Sequence, residues 1–150
     1  RYAKADADDE EIWDALRVAQ AEDFIRSSKD GIYMRVSEGG SNYSGGQRQR
    51  LAIARAIVRR PKVYLFDDSF SALDYATDKN LRGALKEITS DATVIVVAQR
   101  ITSIMDADQI IVMNNGEIED IGTHEELLGR CATYQEIAST QPSEGAEASK

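Results

Sequence analysis

The stretch Tyr43-Ser44-Gly45-Gly46-Gln47 has the residue types to do chemistry. Two adjacent glycines let backbone N–H groups come close to an anion, Ser44 adds a hydroxyl, and a helix starting near Gly46 points its positive end at the same place. As physics this is a phosphate cradle, although for a bare Ser-Gly-Gly a glycine turn with a serine N-cap is the simpler reading. A second candidate is Asp67-Asp68, which ends the apolar run Val63-Tyr64-Leu65-Phe66 and opens the loop Ser69-Phe70-Ser71-Ala72-Leu73-Asp74. A carboxylate at a strand end suits Mg²⁺ held through water, and its neighbour can orient a nucleophilic water. Adjacent acids alone are common surface chemistry. The third is Gln99-Arg100, behind the apolar run Thr93-Val94-Ile95-Val96-Val97-Ala98, where a polar side chain at a strand's end can sense a ligand. All three stand where open α/β sheets place ligands, at the carboxyl ends of strands and the amino ends of helices.

The elements that must hold these residues follow from periodicity. Residues 1–29 carry Ile12, Leu16, Ala19, Phe24 and Ile25 at helical spacing, which predicts one or two amphipathic helices. Asp8-Asp9-Glu10-Glu11 then complements a helix start and is not a metal site. A glycine- and serine-rich loop over residues 38–46 feeds a basic helix with Leu51, Ala54, Ile57 and Val58 on one face, stopped by Pro61. The runs at 63–66 and 93–98 lack alternation, which predicts parallel strands buried on both faces. Between them a helix is expected over 75–88, with Leu81, Ala84, Leu85 and Ile88 inward. Segments 109–113 and 117–121, joined by Asn114-Asn115-Gly116, predict a hairpin. Thr123 with Glu126 three residues later predicts a capped helix over 123–128. Residues 139–150 are expected to be a disordered tail, and there is no internal repeat.

Composition narrows the partners. The 150 residues are 42% hydrophobic and 29% charged, a globular balance. Eighteen basic and twenty-six acidic residues give a net charge of -8, so the general attraction to nucleic acid or an anionic membrane is missing and phosphate recognition must be local. The single cysteine, Cys131, can form no internal disulfide; it reads as a small packed side chain in a reducing compartment. No apolar run approaches the ~18 residues of a membrane span, and the N-terminus lacks the layout of a signal peptide. The chain itself is expected to be soluble.

In order, YSGGQRQR, a helix, VYLFDDSFSALD and VIVVAQR resemble the second half of an ATP-binding-cassette (ABC) nucleotide-binding domain, over about residues 1–140. The resemblance implies an α/β fold: a RecA-like P-loop NTPase core, with a partial parallel sheet and flanking helices, plus the ABC α-helical subdomain. Residues 1–60 would be that subdomain with the signature motif and its helix, 61–138 the C-terminal part of the core, and 139–150 the tail. It further implies ATP and Mg²⁺ as cofactors. Ser44, Gly45, Gly46 and Gln47 would be the signature motif, given to the nucleotide of a partner cassette. Asp67 would be the metal-binding Walker B aspartate, and Ser71 to Asp74 the D-loop, with Asp74 toward nucleotide. Asp68 and Gln99 would hold the catalytic positions facing the subunit's own nucleotide. Glu38, in VSEGG, resembles the exporter loop that contacts a transmembrane domain. The intact protein would then work at the cytoplasmic face of the cell membrane as an ATPase coupled to transport.

Two positions depart from the family pattern. Asp68 stands where glutamate is usual, one methylene shorter, and a displacement of about 1 Å can cost roughly 10²-fold in rate. Gln99 stands where histidine is usual and cannot become cationic near neutral pH; the one histidine, His124, reads as structural. This pattern resembles one half of a heterodimeric exporter with unequal ATP sites. The chain has no G-x-x-x-x-G-K-[ST]; the nearest spacing, Gly40 to Gly45, is followed by Gly46-Gln47. By the resemblance, Walker A, the adenine-stacking aromatic and the Q-loop would precede Arg1. The chain is therefore expected to be a truncated or proteolysed piece, inactive alone, with open sheet edges that favour self-association. Two alternatives remain. One is an ATP-gated dimerising module with little turnover. The other is a soluble ABC ATPase of the translation-factor or DNA-repair type, against which stand the acidic charge and SALD in place of a histidine-containing loop.

Overall fold

In the computed structural model, residues 2–141 are described; most of the expected tail, residues 142–150, lies outside them. Packing divides the chain into two units, one ending at Val97 and one starting at Ala98. The first holds α1 (Asp9–Val18), α2 (Glu22–Arg26), α3 (Gly45–Ile57), β1 (Val63–Asp67), α4 (Tyr75–Ile88) and β2 (Thr93–Val97).

The acidic run near the N-terminus is a helix start: Asp8 caps α1 by accepting from the Glu11 N–H, and the Glu11 side chain accepts in return from the Asp8 N–H. Strands β1 and β2 run parallel, in register from Val63 opposite Thr93 to Asp67 opposite Val97, with α4 between them in the chain. The periodic residues meet in one core, which includes Leu16, Ala19 and Ile25, then Ile53, Ala54 and Ile57 of α3, Tyr64 and Phe66 of β1, and Leu81 and Leu85 of α4. That core runs across residue 60, joining α3 to β1. Fully burying side chains such as Leu81 contributes roughly 1.5–3 kcal/mol each.

The strands differ from expectation. Tyr64 and Phe66 are buried, but Val63 and Leu65 of β1 and Val94, Ile95 and Val97 of β2 are exposed. Strand β1 is therefore covered on one face, whereas β2 is exposed over most of its length, Val94 included although it stands beside buried Tyr64. An unbroken apolar run says that a strand is apolar on both sides; it does not say what covers each side. Ile88, expected inward on α4, is also 44% exposed.

The second unit pairs β3 (Ile110–Asn114) antiparallel with β4 (Glu117–Gly122), followed by α5 (His124–Arg130) and α6 (Ala132–Ser139). Asn115 and Gly116 take φ of 50° and 84°, the left-handed pair that a two-residue hairpin turn requires. Thr123 and Glu126 form the expected capping box. Helix α6 was not foreseen, and its last residue, Ser139, lies where the tail was expected to begin. Tyr134, Leu127, Ile110, Val112 and Cys131 form this unit's core. Among the described residues no helix is long and apolar enough to cross a membrane.

Candidate functional site

Ser44 is the N-cap of α3. Its Oγ accepts from the Gln47 N–H at 3.2 Å, and Gln47 Oε1 accepts from the Ser44 N–H at 3.0 Å. The serine cap and the phosphate cradle are thus compatible. The capping box uses the third N–H of the helix, whereas those of Gly45 and Gly46 donate to nothing among the described residues. Two unspent donors and a helix dipole face outward beside an exposed serine. Gly46 has a second reason to be glycine: a Cβ there would sit 2.9 Å from the Ala72 carbonyl oxygen.

The residues after the glycines each hold a different element. Arg48 donates to the Tyr43 carbonyl at 2.8 Å, and its stem lies against Gly40. Gln49 reaches the acid loop, accepting from the Ala72 N–H at 3.0 Å and donating to Ser71 Oγ at 3.2 Å. Arg50 donates to the Gln20 carbonyl at 2.6 Å and lies 4.9 Å over the Phe24 ring, so it holds the link between α1 and α2. Arg48, Gln49 and Arg50 were not singled out from sequence. Their partners lie up to 30 residues away, and no local spacing announces them.

The acid loop is fixed by aromatic anchors. Phe66 and Phe70, both buried, bracket Asp67 to Ser69, with ring centroids 5.4 Å apart. Asp68 has φ of 48° and donates its N–H to the Val97 carbonyl at 3.1 Å. Aspartate enters the left-handed region more readily than most residues, which gives the shorter acid a local backbone rationale. The Asp68 carbonyl accepts from Ser71 Oγ at 3.1 Å. The Asp67 carboxylate is exposed and makes no hydrogen bond among the described residues. No cluster of three metal-ligating side chains occurs among the described residues. One free carboxylate beside a phosphate fits Mg²⁺, which is commonly held by one or two carboxylates, phosphate and water.

Asp74 caps α4, accepting from the Thr77 N–H at 3.0 Å and from Thr77 Oγ1 at 2.8 Å. The backbone N–H of Thr77, and then its hydroxyl, hold this carboxyl below the usual carboxylate range. Glu38 is exposed and opens a single 3-10 turn, Glu38–Gly40, in which Gly39 and Gly40 take φ of 66° and 67°. Asn42 braces that turn, donating to the Arg35 carbonyl and accepting from the Ser37 N–H. The structure therefore brings the glycine turn and the whole acid loop through Asp74 into one unit. Gln99 belongs to the other, where its side chain is exposed and its carbonyl accepts from Gln141 at 2.7 Å. His124 Nδ1 lies 2.8 Å from the hydroxyl of buried Tyr134, a structural contact, and Cys131 is buried and unpaired as a disulfide.

Comparison with known proteins finds relatives for most of the chain. A family model described as ABC transporter matches residues 4–71. An uncharacterized ABC transporter ATP-binding protein of Mycobacterium tuberculosis is 55% identical over 133 residues, covering 89% of this chain and 22% of that protein. A mitochondrial potassium channel ATP-binding subunit of Rattus norvegicus is 45% identical, covering 94% of this chain and 20% of that protein. Among solved structures, a bacterial Atm1-family ABC exporter with ATP bound matches with a TM-score of 0.89 and 36% identity, over 97% of this chain and 26% of its own. The chain thus spans about a fifth of the curated relatives it matches. It belongs to the ABC transporter family, as part of a nucleotide-binding domain of the exporter type.

Proposed function

We propose that the full-length protein is the ATP-hydrolysing subunit of an ABC exporter and that this chain supplies two half-sites. The observation that carries this reading is the Ser44-capped glycine turn, whose Gly45 and Gly46 N–H groups are unspent at the start of a 13-residue helix. Ser44, Gly45, Gly46 and Gln47 face the γ-phosphate held by a second nucleotide-binding domain. Asp67, Asp68 and Gln99 serve the nucleotide of their own subunit. On this reading Asp67 holds Mg²⁺, which supplies charge neutralisation at the phosphates. Asp68 orients the attacking water and takes its proton, Gln99 hydrogen-bonds the γ-phosphate, and Asp74 pins the D-loop beside the nucleotide at the start of α4. The remainder of a full-length domain supplies the G-x-x-x-x-G-K-[ST] loop, which does not occur in these 150 residues. Glu38, exposed on its braced turn, contacts the transmembrane domain at the cytoplasmic face of the membrane.

The departures at Asp68 and Gln99 support a heterodimer in which this subunit's own site is the slower one. ATPase measurements on the full-length protein in lipid, with each acid removed separately, test this. Asp68→Asn should lower turnover modestly, and removing the partner's acid should nearly abolish it. Equal losses would show equivalent sites, and no Mg²⁺-dependent ATPase with either acid intact would refute the motor. A second reading is an ATP-gated module with little turnover. It is favoured by the same two residues and by the 45% identity to a protein named as a channel's ATP-binding subunit.

A further inference from the structure

Gln49 is half-buried, lies one turn into α3, and spends its whole amide on the loop that follows Asp67. The orientation is fixed by chemistry. The Ala72 N–H can only donate, so Oε1 must face it; the Asp68 carbonyl can only accept, so Nε2 must face that side, at 3.4 Å from the carbonyl and 3.2 Å from Ser71 Oγ. Ser71 Oγ in turn donates to the Asp68 carbonyl. One side chain thus clamps both ends of the segment from Asp68 to Ala72. That segment also touches the glycine turn directly, since the Ala72 carbonyl oxygen lies 2.9 Å from where a Gly46 Cβ would be and the Ala72 Cβ lies 3.9 Å from the Gly45 Cβ position.

From this geometry we propose that Gln49 is a positioning residue. It holds the backbone of Asp68 in register with the Ser44-Gly45-Gly46 turn, so that the half-site facing the partner's nucleotide and the half-site facing the subunit's own move as one body. The proposal rests on the ATPase reading above. Asp68 gives the clamp something to do. Its left-handed backbone must be held by its surroundings, and an acid displaced by about 1 Å loses up to roughly 10²-fold in rate. Glutamine suits the task because it donates and accepts at once, and neither leucine nor glutamate of similar length does both.

The test uses full-length protein with Gln49→Leu and Gln49→Glu, and reads kcat, KM for Mg-ATP and amide exchange across residues 68–72. In Gln49→Leu, kcat is expected to fall about 10-fold with KM within about twofold. Exchange at Ala72 should accelerate while the rest of α3 stays protected. Gln49→Glu keeps the acceptor for Ala72 but loses the donor, so it should fall between wild type and leucine in both readouts. Unchanged exchange at Ala72 in Gln49→Leu overturns the clamp, whether or not the protein turns over ATP. Faster exchange with unchanged kcat overturns the positioning role. A wild-type protein that shows the exchange pattern but never hydrolyses ATP contradicts the ATPase reading instead, and leaves the clamp standing.

Discussion

The glycine turn and the acid loop lie against each other yet are built oppositely. At the turn, Ser44 and Gln47 satisfy each other, and the next three side chains are each anchored to a different element. What remains open is backbone: the N–H groups of Gly45 and Gly46. In the acid loop the backbone is held, by Val97, Gln49 and Ser71, and what remains open is side chain, the exposed carboxylates of Asp67 and Asp68. On the proposed reading, one half-site offers fixed dipoles to a negative charge, which need no reorganisation when the charge arrives. The other offers negative charge and needs a cation and a proton acceptor's freedom. The difference teaches that substitutions at the turn should act on geometry and rate together, whereas substitutions at the acids should act on rate alone.

The largest effect should follow from removing the donor and the cap at once. Ser44→Ala in the full-length protein is expected to lower turnover by on the order of 10²-fold or more, and to destabilise α3 by about 1 kcal/mol through loss of the N-cap. Steady-state ATPase and thermal melts read the two parts. A rate loss with no change in melting would separate donor from cap and weaken the contrast drawn above.

Gly46→Ala comes next, since its Cβ would meet the Ala72 carbonyl at 2.9 Å. Overpacking of this kind costs typically about 1–3 kcal/mol, to be measured by denaturant titration, and the strain falls on both half-sites. Full stability in this variant would mean that the backbone at Ala72 yields freely. On the proposed reading, in which this subunit's own site is the slower one, Asp68→Asn should be milder still in overall turnover. Its melting temperature should match wild type, since no hydrogen bond of the Asp68 carboxylate is lost.

The smallest effect concerns Asp74. The Thr77 N–H and hydroxyl bind its ionised form and depress its pKa. The stability this gives α4 is therefore complete above the unfolded carboxylate range and is lost as pH falls through the folded value. Asp74→Asn keeps a good cap but removes that proton linkage. Melts of the two proteins between pH 6 and pH 3 should converge as wild type loses its margin; parallel curves would show that Asp74 is not linked to folding.

Much of this was legible in the residues, and the reasons for the rest are local. Helix α4 begins and ends where its periodicity says, because Asp74 caps it and Thr89 leaves helical geometry. The Asn115-Gly116 turn and the Thr123 box needed only neighbouring residues. Gln49 was invisible because its partners lie 19 to 23 residues on, and glutamine on a helix ordinarily faces water. Helix α6 was missed because Cys131 makes no side-chain cap and Tyr134 is its one buried residue, too little for a periodic signal. The exposed face of β1 and β2 could not be read from an apolar run that looks the same covered or bare.

That the glycine turn acts on the partner's nucleotide is the central claim, and site-resolved trapping of labelled nucleotide addresses it directly. Gly45→Asp in this subunit alone places a like charge beside the phosphate without touching Asp67, Asp68 or Gln99. Trapping should fall in the site whose phosphate loop belongs to the partner, while nucleotide affinity of the separated subunits barely changes. Loss of occupancy only in the variant subunit's own phosphate loop, with normal turnover in the partner, would contradict the assignment and return Ser44-Gly45-Gly46 to a structural turn.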